Sequence, residues 1–154
     1  NKKIYYIPIV DQLGARYVDK NFFNNDVILS FSKVRKTKNY QNGIDRLVEG
    51  LNKGFNISLM CTEKNPIDCH RAILISYTLK KMNIKVKHIL ENGNIKTHSD
   101  LEKDLLSMYN KEVNYINIFQ PQKNSSLEDR LEKAYMKRNY EIGYSLNEKI
   151  KKEG

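Results

Sequence analysis

Apolar and polar positions divide the chain into stretches with helical spacing and short apolar runs. One stretch repeats apolar residues at three-and-four spacing, which predicts an amphipathic helix. Its apolar members are Tyr40, Ile44, Leu47, Val48 and Leu51. Two later stretches begin with capping-box patterns, Ser99–Glu102 and Ser125–Glu128. These patterns predict two more helices, the first of which runs to about Tyr109.

A strand, a helix and a second strand are predicted in the middle of the chain. The apolar run Ile57–Cys61 is typical of a buried strand. Asn65 is a predicted N-cap that opens a helix over Pro66–Met82. The run Val86–Leu90 then predicts the second strand. Short connections between these elements favour a right-handed parallel crossover.

This order of elements predicts an α/β fold. We expect one α/β domain over residues 1–154, with three layers and a mostly parallel sheet flanked by helices around a Rossmann-like crossover. The chain is long enough to bury a core without disulfides. In such folds ligands bind beyond the carboxyl ends of the strands. The end of the first predicted strand is therefore the expected position of a site.

The segment from Cys61 to Arg71, which we call the cysteine loop, holds both cysteines of the chain together with Glu63, Cys69 and His70. A helix N-terminus and neighbouring positive charges favour the thiolate form, which is the nucleophile. We therefore expect Cys61 or Cys69 to be reactive. Arg71 and the helix amides are predicted to bind an anion. Glu63 is predicted to orient His70 or to carry a proton.

Other interpretations of the two cysteines stay open. Cys69 falls on the apolar stripe of the predicted helix, so it could be a buried core residue. A structural disulfide and a reversible redox pair are further alternatives. Zinc is less favoured, because His70, His88 and His98 accompany the cysteines without the close C-x-x-C spacing of common structural sites. We therefore expect neither a metal nor a cofactor.

Several segments resemble the bacterial and archaeal domain-of-unknown-function family 488. Ser58–Pro66 and Cys69–Leu74 are similar to its cysteine signature, and Leu13–Arg16 is similar to its "LGGR" turn, with Ala15 where a second glycine is usual. Glycine gives such a turn backbone freedom that alanine lacks. The similarity extends to Val86–Leu101 and to the end of longer members over 131–144.

The resemblance carries expectations about domain boundaries and the site. Members usually begin with a strand, a helix and a second strand that bears an Asp-Val-Arg element, whereas this chain opens almost directly at Ile4–Ile9. We therefore expect residues 1–154 to be the central and C-terminal part of a longer family domain. The family has no settled activity, although its paired cysteines suggest an enzyme. Gly14 and Arg16, at the turn, are expected to bind substrate at the same sheet edge.

Charge adds one expectation about partners. Lys and Arg number 27 against 18 Asp and Glu, for a formal net charge of +9 and a pI of about 9.4. Such an excess favours nucleic acid or another polyanion. Phe31–Tyr40 is the best nucleic-acid candidate, because it mixes cations with aromatic residues. Tyr40, however, belongs to the helical stripe and is expected in the core.

The leading hypothesis is a cysteine-dependent enzyme that acts on an anionic substrate, for which a nucleotide or a nucleic acid is the candidate. The alternative is a non-catalytic module that binds nucleic acid, or one that pairs an exposed sheet edge with a partner. The chain has no apolar run long enough to span a bilayer. We therefore expect a cytoplasmic protein without membrane contact, and the sequence gives no oligomeric state.

Overall fold

The computed structural model describes residues 4–24, 27–110 and 126–146, and helices dominate these residues. The α-helices are α1 (Val10–Leu13), α2 (Phe31–Val34), α3 (Lys38–Asn52), α4 (Tyr77–Lys81), α5 (His98–Met108) and α6 (Leu127–Ile142). Short 3-10 helices span Lys20–Phe22 and Pro66–Asp68, and a π-helix over Arg71–Ser76 leads into α4. The strands are β1 (Phe23–Asn24), β2 (Ile28–Leu29), β3 (Lys87–Ile89) and β4 (Ile95–Thr97).

The prediction of a three-layer, mostly parallel α/β sheet is wrong. In the described residues β1 pairs with β2 and β3 pairs with β4, and both pairs are antiparallel. The predicted second strand does form, but it pairs with the next strand along the chain, with His88 opposite Lys96. Gly93 makes the connecting turn possible with a φ of +79°, which glycine adopts without strain. The local hairpin therefore replaces the Rossmann-like crossover.

The predicted buried strand Ile57–Cys61 is also absent. These residues form no helix or strand and are mostly exposed, with Ile57 40% and Met60 82% accessible to solvent. An apolar run becomes a strand only where another strand supplies backbone partners, and none of the described strands pairs with it. The carbonyl of Leu59 accepts a hydrogen bond from Arg71 instead.

The predicted helix over Pro66–Met82 begins where expected but is interrupted. Asn65 caps it by accepting a hydrogen bond from the Ile67 amide at 3.3 Å, yet the first helical segment ends at Asp68. Cys69 is extended, with φ −119° and ψ 138°, and the helix resumes as the π-helix. The predicted apolar stripe is nevertheless buried: its members are Cys69, Ala72, Ile73, Ser76 and Leu79.

The three helices predicted from stripes and caps are confirmed. In α3, Tyr40 is buried and its hydroxyl donates to the Leu74 carbonyl at 3.0 Å, which joins α3 to the π-helix. The N-cap of α5 is Thr97, two residues before the predicted Ser99, because its hydroxyl accepts from the Asp100 amide. Helix α6 begins after Ser126 with a capping box to Asp129.

One buried polar residue fastens α6 to β2 and α2. The side chain of Asn139 accepts a hydrogen bond from the Phe31 amide and donates one to the Leu29 carbonyl, both at 2.8 Å. The bonds tie residues far apart in sequence and satisfy backbone groups that would otherwise be buried without partners.

Within the described part of the chain, no helix is long and apolar enough to cross a membrane.

Candidate active site in the cysteine loop

The cysteine loop folds back on itself so that both thiols face one histidine nitrogen. Cys61 Sγ lies 3.5 Å from His70 Nδ1, and Cys69 Sγ lies 3.9 Å from the same atom. The short 3-10 helix and the extended Cys69 turn the chain so that this approach is possible. These three donor atoms lie within 4.8 Å of one another, which is close enough for a shared metal ion.

Arg71 holds the loop in this shape. Its guanidinium donates to the carbonyl of Leu59 at 3.3 Å and to the carbonyl of Glu63 at 3.0 Å. These carbonyls lie on the two sides of Cys61 in the sequence, so one side chain fixes both. Its Nε also donates to Cys69 Sγ at 3.2 Å. The planar fork of arginine suits such simultaneous contacts.

The two thiols differ in their exposure to solvent. Cys69 is fully buried, and this burial raises its pKa to about 11, despite the hydrogen bonds from Arg71 that favour the thiolate. Cys61 is half-buried and therefore open to a reagent or substrate. Burial, and then the charge of Arg71, lowers the pKa of His70. Its imidazole is therefore neutral at neutral pH and can accept a proton from Cys61.

The other predicted site residues lie at the edge of the loop or away from it. Glu63 is exposed and contributes its carbonyl to the loop, while its carboxylate lies outside the group of clustered donor atoms. Gly14 ends α1, where its amide donates to the Val10 carbonyl at 2.8 Å. Arg16 lines a shallow surface cleft. The cleft residues are Val10, Asp11, Arg16, Tyr17, Val18, Asp19 and Asn39. None of them belongs to the cysteine loop, so the substrate-binding role of Gly14 and Arg16 stays a prediction.

A second cluster, which we call the buried polar chain, consists of His88, His98, Tyr135 and Glu102. His88 Nε2 lies 3.0 Å from His98 Nδ1, and His98 Nε2 lies 2.9 Å from the Tyr135 hydroxyl. That hydroxyl donates to Glu102 at 3.0 Å, and Lys80 pairs with both carboxylate oxygens of Glu102 at 2.7 Å. The four members of the chain are all buried.

The carboxylate at one end sets the direction of every bond in the buried polar chain. Because ionised Glu102 only accepts, Tyr135 donates to it and must accept from His98 Nε2–H. His98 then has an unprotonated Nδ1, which accepts from His88 Nε2–H. Burial is the main cause that lowers the pKa of both histidines to about 4. The charges of His98, Arg71 and Lys96 add to it for His88, and the charge of Lys80 adds to it for His98. Both rings are therefore neutral at neutral pH.

The sequence indicated only part of this cluster. In the sequence, Glu102 is marked only as part of a capping-box pattern. The structure instead places it in a buried hydrogen bond with Tyr135. A signal for Glu102 existed, since it lies beside Leu101 and three positions before Leu105, within the buried face of α5. A charged residue inside an apolar stripe indicates a buried partner.

The basic segment Phe31–Tyr40 does not present its aromatic residues to solvent. Phe31 and Tyr40 are each 1% exposed, so neither ring can stack on a base. Two of its cations also make contacts within the protein. Lys33 donates to the Phe23 carbonyl at 2.6 Å, and Arg35 lies 4.2 Å from the centre of the Tyr77 ring.

Comparison with known proteins identifies the family. The family model described as domain of unknown function DUF488 matches residues 1–78, which include the whole cysteine loop. The match covers half of the chain, and the chain belongs to this family. It ends before Val86–Leu101 and Leu131–Tyr144, so the similarity of those segments stays a prediction. No curated protein and no solved structure matches the chain. Because the family description names no activity, the function has to be argued from the site.

Proposed function

We propose that this member of the family is a cysteine-dependent enzyme that acts on an anionic substrate through the cysteine loop. Cys61 is the nucleophile and His70 is its proton acceptor. The separation of 3.5 Å between Cys61 Sγ and His70 Nδ1 carries the proposal, because an adjacent imidazole is a common activator of cysteine nucleophiles. The half-buried position of Cys61 gives a substrate access to the sulfur.

The remaining loop residues support this pair. Cys69 is buried and accepts hydrogen bonds from Arg71, so it acts as a positioning residue. Arg71 holds the loop closed and keeps a positive charge beside the thiols. Glu63 is the exposed acid of the loop and the candidate proton carrier to solvent.

The proposed step is a transfer of a substrate group to sulfur. The thiol proton of Cys61 moves to His70 Nδ1 as the sulfur forms a bond to an electrophilic carbon or phosphorus atom. The bond between that atom and its leaving group breaks, and the leaving group departs with the proton from His70. Water or another acceptor then displaces the group from sulfur.

The preference for an anionic substrate rests on charge. The chain has a formal charge of +9, and such an excess attracts anions at long range. The positive charge of Arg71 lies next to the reacting pair. Gly14 and Arg16 are proposed as a further binding element for the anionic part of the substrate. Nucleotides and nucleic acids combine phosphate charge with electrophilic centres and are the favoured class.

Alkylation of the two thiols tests the nucleophile. The folded protein, treated with EDTA, is labelled with iodoacetamide over a range of pH, and labelling at Cys61 and Cys69 is separated by peptide mass spectrometry. Cys61 is expected to label faster than Cys69, because it is half-buried and an adjacent imidazole can accept its proton. His70→Gln is expected to slow the labelling of Cys61 at neutral pH.

The control is Thr62→Ala, which changes an exposed residue of the same loop and leaves the thiol and imidazole in position. It is expected to label like the unmodified protein. If neither thiol reacts until the protein unfolds, or if His70→Gln leaves the Cys61 profile unchanged, the proposed nucleophile is wrong.

A non-catalytic nucleic-acid-binding module is the alternative function, and the charge of +9 favours it. Binding through several phosphates falls steeply as salt rises from tens to hundreds of millimolar. Titration of a fluorescent single strand at several salt concentrations measures this dependence. A response that does not change with salt, or no binding at low salt, removes the alternative.

A further inference from the structure

We propose that Cys61, Cys69 and His70 form a zinc site with one open coordination position. The inference goes beyond the proposed function, because coordination depends on the positions of three donor atoms and does not require Cys61 to react as a nucleophile. Zinc is the metal of choice for two thiolates and an imidazole in tetrahedral geometry.

The distances between the donors fit a tetrahedral ion. With bonds of about 2.3 Å to sulfur and about 2.1 Å to nitrogen, the edge from sulfur to nitrogen of a zinc tetrahedron is about 3.6 Å. The two edges in the loop are 3.5 Å for Cys61 and 3.9 Å for Cys69, each measured to His70 Nδ1. The two sulfurs lie within 4.8 Å of each other. The ion therefore requires only small side-chain adjustments.

Hydrogen bonding alone leaves the convergence of both sulfurs on one nitrogen without a reason. A neutral imidazole nitrogen carries either one proton or one lone pair at Nδ1, so it makes one good hydrogen bond at a time. Two thiols nevertheless face Nδ1 of His70. A cation between the three atoms interacts with all of their lone pairs together.

The groups around the donors suit a metal-bound thiolate. The amide and Nε of Arg71 donate to Cys69 Sγ at 3.4 and 3.2 Å. Hydrogen bonds of this kind orient metal ligands and stabilise their charge. Two thiolates also neutralise a divalent ion, so the loaded site places no net charge beside Arg71.

Three protein ligands leave the fourth position open. The carboxylate of Glu63, the acid of the loop, lies outside the donor group. Cys61 and His70 are half-buried whereas Cys69 is fully buried, so solvent reaches the site from the side of Cys61. A water molecule or a substrate atom is the expected fourth ligand. This coordination pattern is typical of catalytic zinc rather than structural zinc.

Cobalt binding tests the site without any measurement of activity. The protein is stripped of metal with EDTA, reduced and titrated with Co²⁺, which reports tetrahedral thiolate coordination through charge-transfer and d–d absorption. We expect one Co²⁺ per chain and its displacement by Zn²⁺. Cys61→Ser and His70→Gln are expected to weaken binding at least tenfold, whereas Thr62→Ala, at an exposed position of the loop, is expected to bind like the unmodified protein.

The zinc site is wrong if the folded, reduced protein shows none of these absorption bands in the presence of excess Co²⁺. Equal binding by Cys61→Ser and the unmodified protein also overturns it. Cys69→Ser alters a fully buried residue and can unfold the chain, so the half-buried Cys61 is the main test. Circular dichroism of each variant establishes that it is folded before its titration is interpreted.

A protection experiment separates this inference from the proposed function. Zn²⁺ is expected to slow the alkylation of Cys61 at least tenfold, and EDTA is expected to restore it. If Cys61 reacts rapidly in EDTA and Zn²⁺ has no effect, the zinc site is wrong and the nucleophile stands. If cobalt binds but Cys61 does not react in EDTA, the nucleophile is wrong and the zinc site stands.

Discussion

Two clusters of ionisable side chains in the described part of the chain, the buried polar chain and the cysteine loop, differ in how their polar atoms are paired. In the first, His88, His98 and Tyr135 each donate to the next group, and the series ends at Glu102, which pairs with Lys80. Donors and acceptors alternate, so the cluster is satisfied by its own members.

The cysteine loop differs because two thiol sulfurs and one imidazole nitrogen converge within 4.8 Å of one another. Its thiols and imidazole share one small volume, and part of it is open to solvent. A satisfied polar cluster needs nothing further and contributes to stability. A partly exposed cluster of two thiols and an imidazole is the better candidate for chemistry. Substitutions in the buried polar chain should therefore change stability, and those in the cysteine loop should change reactivity.

Acid is expected to have the largest effect, and it should act on the buried polar chain. The pKa of His88 and of His98 is lowered to about 4 in the folded protein, against about 6.5 when unfolded. Between these values the unfolded state binds more protons, so stability that is complete above pH 6.5 is lost as the pH falls toward 4. We expect each of the two histidines to account for about 3 kcal/mol of this loss, as measured by urea unfolding at several pH values.

The control for this pH dependence removes one titrating ring. His98→Gln keeps polar atoms near both neighbours but cannot be protonated, so its stability is expected to fall less steeply between pH 6.5 and 4. Cys61→Ser is expected to follow the slope of the unmodified protein. A slope for His98→Gln that equals that of the unmodified protein would assign the acid sensitivity to other groups.

The sequence predicts those parts of the fold that depend on contacts between residues close together in the chain. Helices α3, α5 and α6 were predictable because their stripes and caps involve residues three or four positions apart. The sheet was not, because strand pairing depends on which partner is available. Ile57–Cys61 has the composition of a strand without a described partner, and Val86–Leu90 pairs with the strand that follows the Gly93 turn.

The site was predictable as a location but not as an arrangement. The clustering of Cys61, Cys69, His70 and Arg71 is visible in the sequence. Their geometry depends on the interruption of the helix at Cys69 and on the contacts of Arg71 with backbone carbonyls, which no spacing rule encodes. The sequence spacing argued against zinc because it lacks a C-x-x-C motif, and spacing alone does not show that folding brings three donor atoms together.

Loss of a single hydroxyl should have an intermediate effect on stability. Tyr135→Phe removes the group that accepts from His98 and donates to Glu102, while its ring still packs edge-on against Tyr77. We expect a loss of about 2 kcal/mol, because two buried groups lose a partner. Tyr140→Phe is the matched control, since Tyr140 is 64% exposed. It should change stability by less than about 0.5 kcal/mol.

The same Tyr135→Phe variant sharpens the contrast between the clusters. Its alkylation of Cys61 and its binding of Co²⁺ are expected to equal those of the unmodified protein. A large change in either would mean that the buried polar chain and the cysteine loop form one functional unit. The two clusters could then no longer be treated as independent.

Arg71→Lys, in the cysteine loop, is expected to change stability least. It tests whether a substitution in this loop affects metal binding more than it affects stability. Lysine keeps the charge, but its single ammonium group cannot reach Leu59, Glu63 and Cys69 together as the guanidinium does. We expect a loss of about 1 kcal/mol, because the contacts are partly exposed. Affinity for Co²⁺ should fall about tenfold, since a support for the ligands is lost. Arg46→Lys, on an exposed face of α3, is the matched control and should alter neither quantity. Arg71→Lys could instead lower the free energy of unfolding as much as Tyr135→Phe does and still bind Co²⁺ with normal affinity. That result would mean that Arg71 stabilises the fold and does not support the metal ligands.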